Sequence, residues 1–374
     1  MNEITAAQLP GLTATVLWSA FALAFVFGAV AQRTNFCTMG GIADLVNFGD
    51  TNRLRQWLLA IGVAIVATSV LAATGQIDTT KTIYATPRFT WLSYIVGGLM
   101  FGFGMVLAGG CGSRTLVRLG GGSLKSLIVA IMLGLAAYIT LRGALGVARV
   151  TWLDPVQLQF AVSQDLPALA ARAFGASRGT LLWVLGLGIG GALIVFALAH
   201  REFRTFDNLL AGLAIGGVIA GVWYVSGHIG HVAEHPQTLE ETYLATNSGR
   251  MESLSYVAPL AYTLDWLILF SDKSKALSLG IVAVFGMVLG SAVVALASRT
   301  FRWEGFASTE DTANHLVGGT LMGFGGVTAL GCTVGQGLSG VSTLALGSFV
   351  TLAAIATGAV LALKYQTWRV EHTA

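Results

Sequence analysis

The stretch YIVGGLMFGFGMVLAGGC, residues 94–111, returns as HLVGGTLMGFGGVTALGC at residues 315–332. Ten of the eighteen aligned positions are identical, and both copies end on a cysteine, Cys111 and Cys332. Abundant glycine raises such a score, but the shared Phe, Val and Cys are not explained by glycine content. Duplicated apolar segments that carry a rare polar residue are typical of membrane transporters, whose halves are often structural repeats around a central site.

The composition predicts a polytopic membrane protein. Of 374 residues, 55% are apolar and 10% are charged, whereas a soluble domain carries about 25% charged residues. The 48 glycines favour close helix packing and broken helices, because small residues let helices in lipid approach each other. A net charge of +3 without a basic tract argues against nucleic-acid binding.

Apolar stretches of about 20 residues predict the membrane spans. We expect an all-α, polytopic helix bundle, a single integral membrane domain over residues 1–374 that contacts lipid throughout. Two pseudo-symmetric inverted halves, approximately 12–141 and 180–363, are expected to be joined by 142–179. The nine predicted spans lie near 12–32, 56–75, 91–109, 124–141, 180–199, 208–226, 276–298, 314–331 and 340–363.

The positive-inside rule favours an external N-terminus and a cytoplasmic C-terminus. In that orientation 12 of the 21 Lys and Arg residues lie in cytoplasmic loops. The first span is then expected to target the membrane itself, without a cleaved signal peptide. Two long segments complete the prediction. Residues 142–178 are expected to hold an amphipathic interfacial or re-entrant helix, and residues 227–275 a structured loop with short helices.

Glycines flank the three cysteines, Cys37, Cys111 and Cys332, on at least one side. Such a backbone leaves the helix readily and turns N–H groups toward a ligand. At membrane depth it is tolerated only where it lines a cavity or is buried in protein. The bland interpretation is that each cysteine is a small buried hydrophobe, but matched repeat positions favour a functional role. The binding candidates are the three cysteines with Gly110, Gly112, Gly331 and Gln336.

Basic residues lie close to two of the cysteines. Arg114 and Arg118 follow Cys111, and Arg33 precedes Cys37. These arginines could attract an anion to a pore opening, or they could be ordinary cytoplasmic anchors that obey the positive-inside rule. The sequence leaves both interpretations open.

Several residues and motifs that the sequence lacks narrow the range of possible transport mechanisms. Apart from Lys125 at the start of the span 124–141, the predicted spans contain no Asp, Glu, Lys or Arg, although proton- or sodium-coupled pumps usually place such residues there. There is no Walker A motif and therefore no ATPase site. His228, His231 and His235 have a spacing that permits metal binding, but they fall at a span end and in a polar loop. We predict no metal and no cofactor.

The cysteine motifs resemble the YeeE/YedE family of membrane proteins, the thiosulfate transporters. The resemblance runs from GAVAQRTNFCTMGGIADL (28–45) through GGLMFGFGMVLAGGCGS (97–113) to GGTLMGFGGVTALGCTVGQGL (318–338). It implies an hourglass-shaped path with functional cysteines at Cys37, Cys111 and Cys332. It further implies thiosulfate uptake across a bacterial inner membrane beside a small TusA-like sulfur carrier. The arginine-rich stretch 112–126 departs from the family, and related sulfur or selenium species stay open as cargo.

These observations lead to a transporter hypothesis in which the chain is not an enzyme. Three protonated thiols would pass the thiosulfate dianion between them without covalent change, because weak sites suit permeation. One alternative is a membrane sulfurtransferase in which a low-pKa cysteine forms a persulfide. Another is soft-metal transport, which the lack of CxxC pairs and of carboxylates within the spans disfavours.

Overall fold

The computed structural model describes residues 7–373, which fold almost entirely into helices. The fourteen α-helices are α1 (Leu9–Thr34), α2 (Thr38–Phe48), α3 (Asn52–Ala73), α4 (Trp91–Leu107), α5 (Gly112–Gly120), α6 (Leu124–Arg142), α7 (Ala144–Trp152), α8 (Leu166–Phe174), α9 (Arg178–Leu198), α10 (Phe206–Tyr224), α11 (Ala258–Ile268), α12 (Leu279–Ala297), α13 (Thr309–Thr328) and α14 (Leu346–Thr373). The predicted all-α class is confirmed.

Four short strands and several short helical turns lie between these helices. Strands β1 (Arg88–Phe89) and β2 (Leu158–Gln159) pair antiparallel, as do β3 (His231–Val232) and β4 (Thr242–Tyr243). Two 3₁₀ turns cover Thr79–Lys81 and Arg201–Phe203. Two π-helical turns cover Val225–Ile229 and Gly335–Gly340. π-Helical turns are rare and often mark functional sites.

Eight helices within residues 7–373 are long and apolar enough to cross a membrane. They coincide with eight of the nine predicted spans. The ninth, predicted at 314–331, is α13, which packs between α4 and α6. Its first turn carries Glu310 and Asp311, and these charges make it less apolar than the others. The last predicted span begins late, at Leu346, because residues 335–340 form the second π-helical turn.

Hydroxyl caps set where many of the helices begin. Each cap oxygen accepts the backbone N–H three residues further on, which satisfies a donor that the first helical turn leaves unpaired. Five helices share this arrangement, α6, α9, α10, α12 and α13, with caps at Ser123, Ser177, Thr205, Ser278 and Ser308 respectively.

The bundle has two faces, which we name from the predicted orientation. The predicted cytoplasmic face carries the ends of α1, α9 and α12 and the starts of α3, α6, α10 and α13, tied by contacts such as Arg33–Asp207 and Leu124–Glu304. The predicted external face carries the two long segments. The one helix expected within 142–178 is α8, and the structure adds α7 before it; the segment 227–275 contains β3, β4 and α11.

The two sequence repeats cross each other directly as α4 and α13. A Cβ placed on Gly97 would lie 2.6 Å from the carbonyl oxygen of Gly325, and one on Gly318 would lie 2.6 Å from that of Gly104. Gly97 aligns with Gly318 and Gly104 with Gly325, so the contacts are equivalent under exchange of the repeats. This crossing therefore has local two-fold symmetry. The bounds of the larger half-repeats stay a prediction.

Buried polar contacts of Gln164 and Asp165 hold the chain after Cys332 in place. The Asp165 carboxylate, which is fully buried, pairs with Arg178 at 3.2 Å. The Leu166 backbone amide donates to the Leu344 carbonyl oxygen. The Gln164 backbone carbonyl accepts the Leu346 amide, and the Gln164 side-chain oxygen accepts the Gly347 amide. The linker between the predicted halves is thereby fastened to the loop between the second π-helical turn and α14.

Candidate functional site

Three helix ends of the same kind lead into the three cysteines. Asn35, Gly109 and Leu330 each stand two residues before a cysteine and have φ values of 52°, 68° and 59°. The following amide reaches back five residues, from Phe36 to Ala31, from Gly110 to Met105 and from Gly331 to Gly326. This is the Schellman type of helix end, and it turns each cysteine out of its helix at the same point.

The three cysteines then stand at the start of the next turn, and two of their sulfurs accept a backbone amide. The Cys37 sulfur accepts the Gly40 amide at 3.3 Å at the start of α2. The Cys332 sulfur accepts the Gly335 amide at 3.4 Å. Cys111 stands at the N-cap position of α5, where its sulfur accepts no backbone amide and instead lies 3.3 Å from the Ser113 hydroxyl. A thiol is a weak hydrogen-bonding group, so these contacts leave each sulfur available to another partner.

All three cysteines are free and buried, with exposures of 7% for Cys37, 1% for Cys111 and 0% for Cys332. Cys111 lies near both of the other cysteines. The sequence-predicted cysteines are therefore brought into one region. Gly110, Gly112 and Gly331 form the turns beside them.

Hydroxyl groups accompany the thiols. Thr38 and Thr333 directly follow Cys37 and Cys332, and both hydroxyls are buried without a hydrogen-bond partner among the described residues. Ser113 accompanies Cys111. Gln336 donates its side-chain amide to Ala329, while its carbonyl oxygen is buried and unpaired. The region around the sulfurs thus contains buried polar atoms that form no hydrogen bond within the described residues.

A cavity of about 180 Å³ reaches this region from the predicted external face. Its wall includes Gly331, which is next to Cys332, together with Tyr84, Ser255, Arg149 and Glu252. Burial raises the pKa of the Glu252 carboxyl. The neutral acid therefore persists to higher pH than in water, and the positive charge of Arg149 is less opposed.

A wider cleft of about 920 Å³ adjoins this cavity and shares Arg149 and Leu330 with it. Three arginines, Arg88, Arg149 and Arg250, line it against one carboxylate, Asp154. Arg149 and Asp154 form an ion pair at 3.3 Å. The external opening is consequently electropositive.

A third cavity, of about 370 Å³, opens on the predicted cytoplasmic face. It too is lined by three arginines against one carboxylate, namely Arg114, Arg118, Arg302 and Glu304. Arg118 binds Glu304 at 3.3 Å, whereas one Arg114 nitrogen is buried without a partner among the described residues. Arg114 also acts electrostatically on Cys37.

The predicted arginines thus separate into two groups. Arg114 and Arg118 line the cytoplasmic cavity near the cysteines. Arg33 lies on the surface, more than half exposed, where it pairs with Asp207 at 3.1 Å. The structure does not bring Arg33 to the sulfurs, and its role in attracting an anion stays a prediction.

The histidines of the long segment have other partners. His228 contacts the Gln76 carbonyl, His231 pairs with Glu241, and His235 accepts from Gln237. The hydrogen bond from Lys81 holds the pKa of the Glu241 carboxyl below its usual range. Within residues 7–373, no three His, Cys, Asp or Glu side chains lie close enough together to share a metal ion.

Sequence reasoning missed two parts of this site. The first is the segment 252–257, which enters the bundle beside the second π-helical turn and buries Leu254 and Tyr256 completely. The second is the group of external arginines in the wide cleft. The external arginines have no local signal, because they come from three separate segments that share no pattern. The segment 252–257 offers only a weak one, since residues 253–257, SLSYV, carry no charge.

Together these features define a multi-pass helical membrane protein whose buried, cysteine-bearing centre lies between two arginine-lined cavities. The sulphur-transport family model matches residues 33–361. The chain therefore belongs to the sulphur-transport family, the YeeE/YedE membrane proteins, as the motifs predicted.

Individual relatives agree over most of the chain. It is 27% identical to the thiosulfate transporter TsuA of Spirochaeta thermophila, covering 90% of this chain and 94% of that protein. It is 28% identical to the thiosulfate transporter TsuA of Escherichia coli, covering 84% of each. A shorter match, 30% identical over 92 residues, covers 25% of this chain and 21% of the probable transporter YedE of Escherichia coli. A role in membrane transport follows from this membership.

Proposed function

We propose that this protein takes up thiosulfate, or a closely related sulfur anion, through a path lined by Cys37, Cys111 and Cys332. The observation that carries the proposal is the placement of three buried thiols at equivalent helix ends between two electropositive cavities. The names of the two long relatives support thiosulfate as the cargo.

The path must replace the water that the anion loses. Bare transfer of an ion into hydrocarbon costs tens of kcal/mol, so arginines at each opening and N–H groups at the broken helix ends must substitute. Helix α2 and helix α5 both begin at a cysteine, and the N-terminus of a helix favours negative charge. Neutral thiols add soft, weak partners for the terminal sulfur, which allow the anion to leave again.

A growth experiment tests the proposed cargo. A sulfur-auxotrophic cell that lacks its own thiosulfate transporter is supplied with this chain and with thiosulfate as the sole sulfur source. We expect growth with the chain and none without it. Equal growth in both strains, with the protein present in the membrane, contradicts the proposal.

Mass analysis separates the relay from a covalent mechanism. The relay leaves the thiols unchanged after exposure to thiosulfate. A sulfurtransferase would gain the mass of one sulfur atom on a cysteine as a persulfide. The bacterial inner-membrane location, the external N-terminus and a cytoplasmic TusA-like carrier belong to the same proposal, and labelling of an introduced external cysteine at the N-terminus tests the orientation.

The first prediction concerns anion capture at the external opening. Replacing Arg149 by glutamine should raise the KM for thiosulfate about tenfold, equivalent to about 1.4 kcal/mol, because Arg149 lines both external cavities. The maximal rate should stay the same, since the cysteines are untouched. Arg201→Gln, an exposed site on the opposite face, is the matched control for uptake kinetics. An unchanged KM in Arg149→Gln would remove the external cleft from the path.

The second prediction concerns pH. Because the Glu252 pKa is raised, its carboxyl is neutral below that pKa and becomes an anion as pH rises through it. The charged form repels an incoming anion, so the KM of the wild type should increase with pH. Glu252→Gln keeps the acceptor for the Ser248 amide but cannot ionise. Its KM should be lower at high pH and nearly independent of pH. Parallel pH profiles for the two proteins would refute this role.

A further inference from the structure

A chain of four buried aromatic rings runs through the region of the cysteines. Tyr256 meets Phe27 edge to face with centroids 6.2 Å apart, and Phe27 meets Phe36 edge to face at 6.4 Å. Phe36 stacks on Trp57 at 5.1 Å. None of the four residues is more than 5% exposed. The rings therefore form a continuous internal wall between helices α1 and α3 and the segment 252–257.

Each end of this ring chain borders a cysteine segment. The Tyr256 amide faces the Cys332 sulfur, and a Cβ on Gly112, which follows Cys111, would lie 3.7 Å from the Tyr256 Cβ. Toward the other end, Phe36, which stacks on the terminal ring of Trp57, directly precedes Cys37. A Cβ placed on Gly337, in the second π-helical turn, would lie 3.2 Å from the Trp57 ring.

Both terminal rings carry a hydrogen-bond donor that has no partner among the described residues. The Tyr256 hydroxyl and the Trp57 indole N–H are buried without a partner among residues 7–373. By contrast, the buried indole N–H of Trp223 donates to the Ser342 hydroxyl at 2.9 Å. Buried polar groups are nearly always paired, so an unpaired one calls for an explanation.

We propose that the Tyr256 hydroxyl and the Trp57 indole N–H, at opposite ends of the ring chain, each bind an oxygen of the transported anion as it passes, while its terminal sulfur contacts the nearby thiol. The inference deepens the proposed function and rests on it. The indole can only donate, which suits an acceptor such as a sulfonate oxygen. The ring chain thereby selects an anion that presents oxygens on one side and a soft sulfur on the other.

A structural role and a transport role predict opposite effects on stability. Removing a buried polar atom that has no partner is neutral or stabilising, whereas removing one member of a hydrogen-bonded pair destabilises. Tyr256→Phe and Trp57→Phe keep an aromatic ring and remove the donor. If the donors serve the anion, both variants should keep or raise the thermal midpoint of the ligand-free protein.

The experiment measures radiolabelled thiosulfate uptake and thermal unfolding for Tyr256→Phe, Trp57→Phe and the control Trp223→Phe. We expect at least a tenfold loss of uptake per folded molecule in the first two, and a smaller rise of the midpoint on adding thiosulfate. The control should lose thermal stability, because Ser342 loses its donor. Its uptake per folded molecule should stay near that of the wild type.

The outcomes are distinct. Wild-type uptake that both donor variants retain, with an unchanged midpoint shift on adding thiosulfate, overturns the inference and leaves the proposed function standing. A ligand-free midpoint that falls in the donor variants as it does in Trp223→Phe shows a structural role and also overturns it. Absence of thiosulfate uptake by the wild type overturns both proposals.

Discussion

Serine in place of Cys111 should reduce thiosulfate uptake about 100-fold, a barrier increase of about 3 kcal/mol. Cys111 lies near both of the other cysteines, so its loss should interrupt the path between them. Serine keeps the shape approximately but offers a smaller, less polarisable atom to the terminal sulfur of the anion. Cys37→Ser and Cys332→Ser should cost less, about tenfold each, equivalent to about 1.4 kcal/mol.

The controls for this series concern folding. Cys111 is 1% exposed, and a buried hydroxyl can destabilise a protein on its own account. Cys111→Ala removes the thiol without adding a polar group, and uptake is expressed per folded molecule. Loss of uptake in both Cys111 variants, with the protein stable in the membrane, is the expected result. Wild-type uptake in all three single serine variants would end the thiol relay.

A methyl group at Gly97 should separate α4 from α13 and destabilise the protein by about 3 kcal/mol. The new Cβ would lie 2.6 Å from both the Gly325 oxygen and the Ala329 nitrogen. These are backbone atoms and cannot rotate away. Gly318→Ala should have a similar effect, because its Cβ would lie 2.6 Å from the Gly104 oxygen and 2.7 Å from the Ala108 nitrogen.

The comparison uses the thermal midpoint and the uptake rate of three variants. Gly97→Ala and Gly318→Ala should lose several degrees each and most of their uptake, since α4 and α13 lead directly into Cys111 and Cys332. Gly188→Ala in α9 is the matched control, because no atom lies within 4 Å of its Cβ position. Alanine favours a helix over glycine by about 1 kcal/mol, so this variant should be slightly more stable. Equal stability of Gly97→Ala and Gly188→Ala would contradict the crossing.

The paired segments show how far a repeated motif can carry a prediction. Residues 94–111 and 315–332 predicted two broken helices that end at cysteines, and the structure has them. The repeat also aligns Gly109 with Leu330, and both residues adopt positive φ values. Leucine is strained there by about 1–2 kcal/mol, so residue preference alone would not place a helix end at Leu330. The alignment with Gly109 shows that the turn at Leu330 belongs to the repeated motif, although leucine itself does not favour it.

The location of the long helices, their apolar character and the turns at the three cysteines were determined by the sequence alone. These are local properties, because hydropathy and backbone freedom act within one turn or one span. The tertiary structure alone decided that Tyr256 and Trp57 border the cysteine segments and that the external arginines line one cleft. Those residues come from separate segments, 57, 88, 149 and 250–256, and carry no shared pattern. Their meeting depends on how glycine faces let distant helices approach, which is a property of packing between segments and not of any one of them.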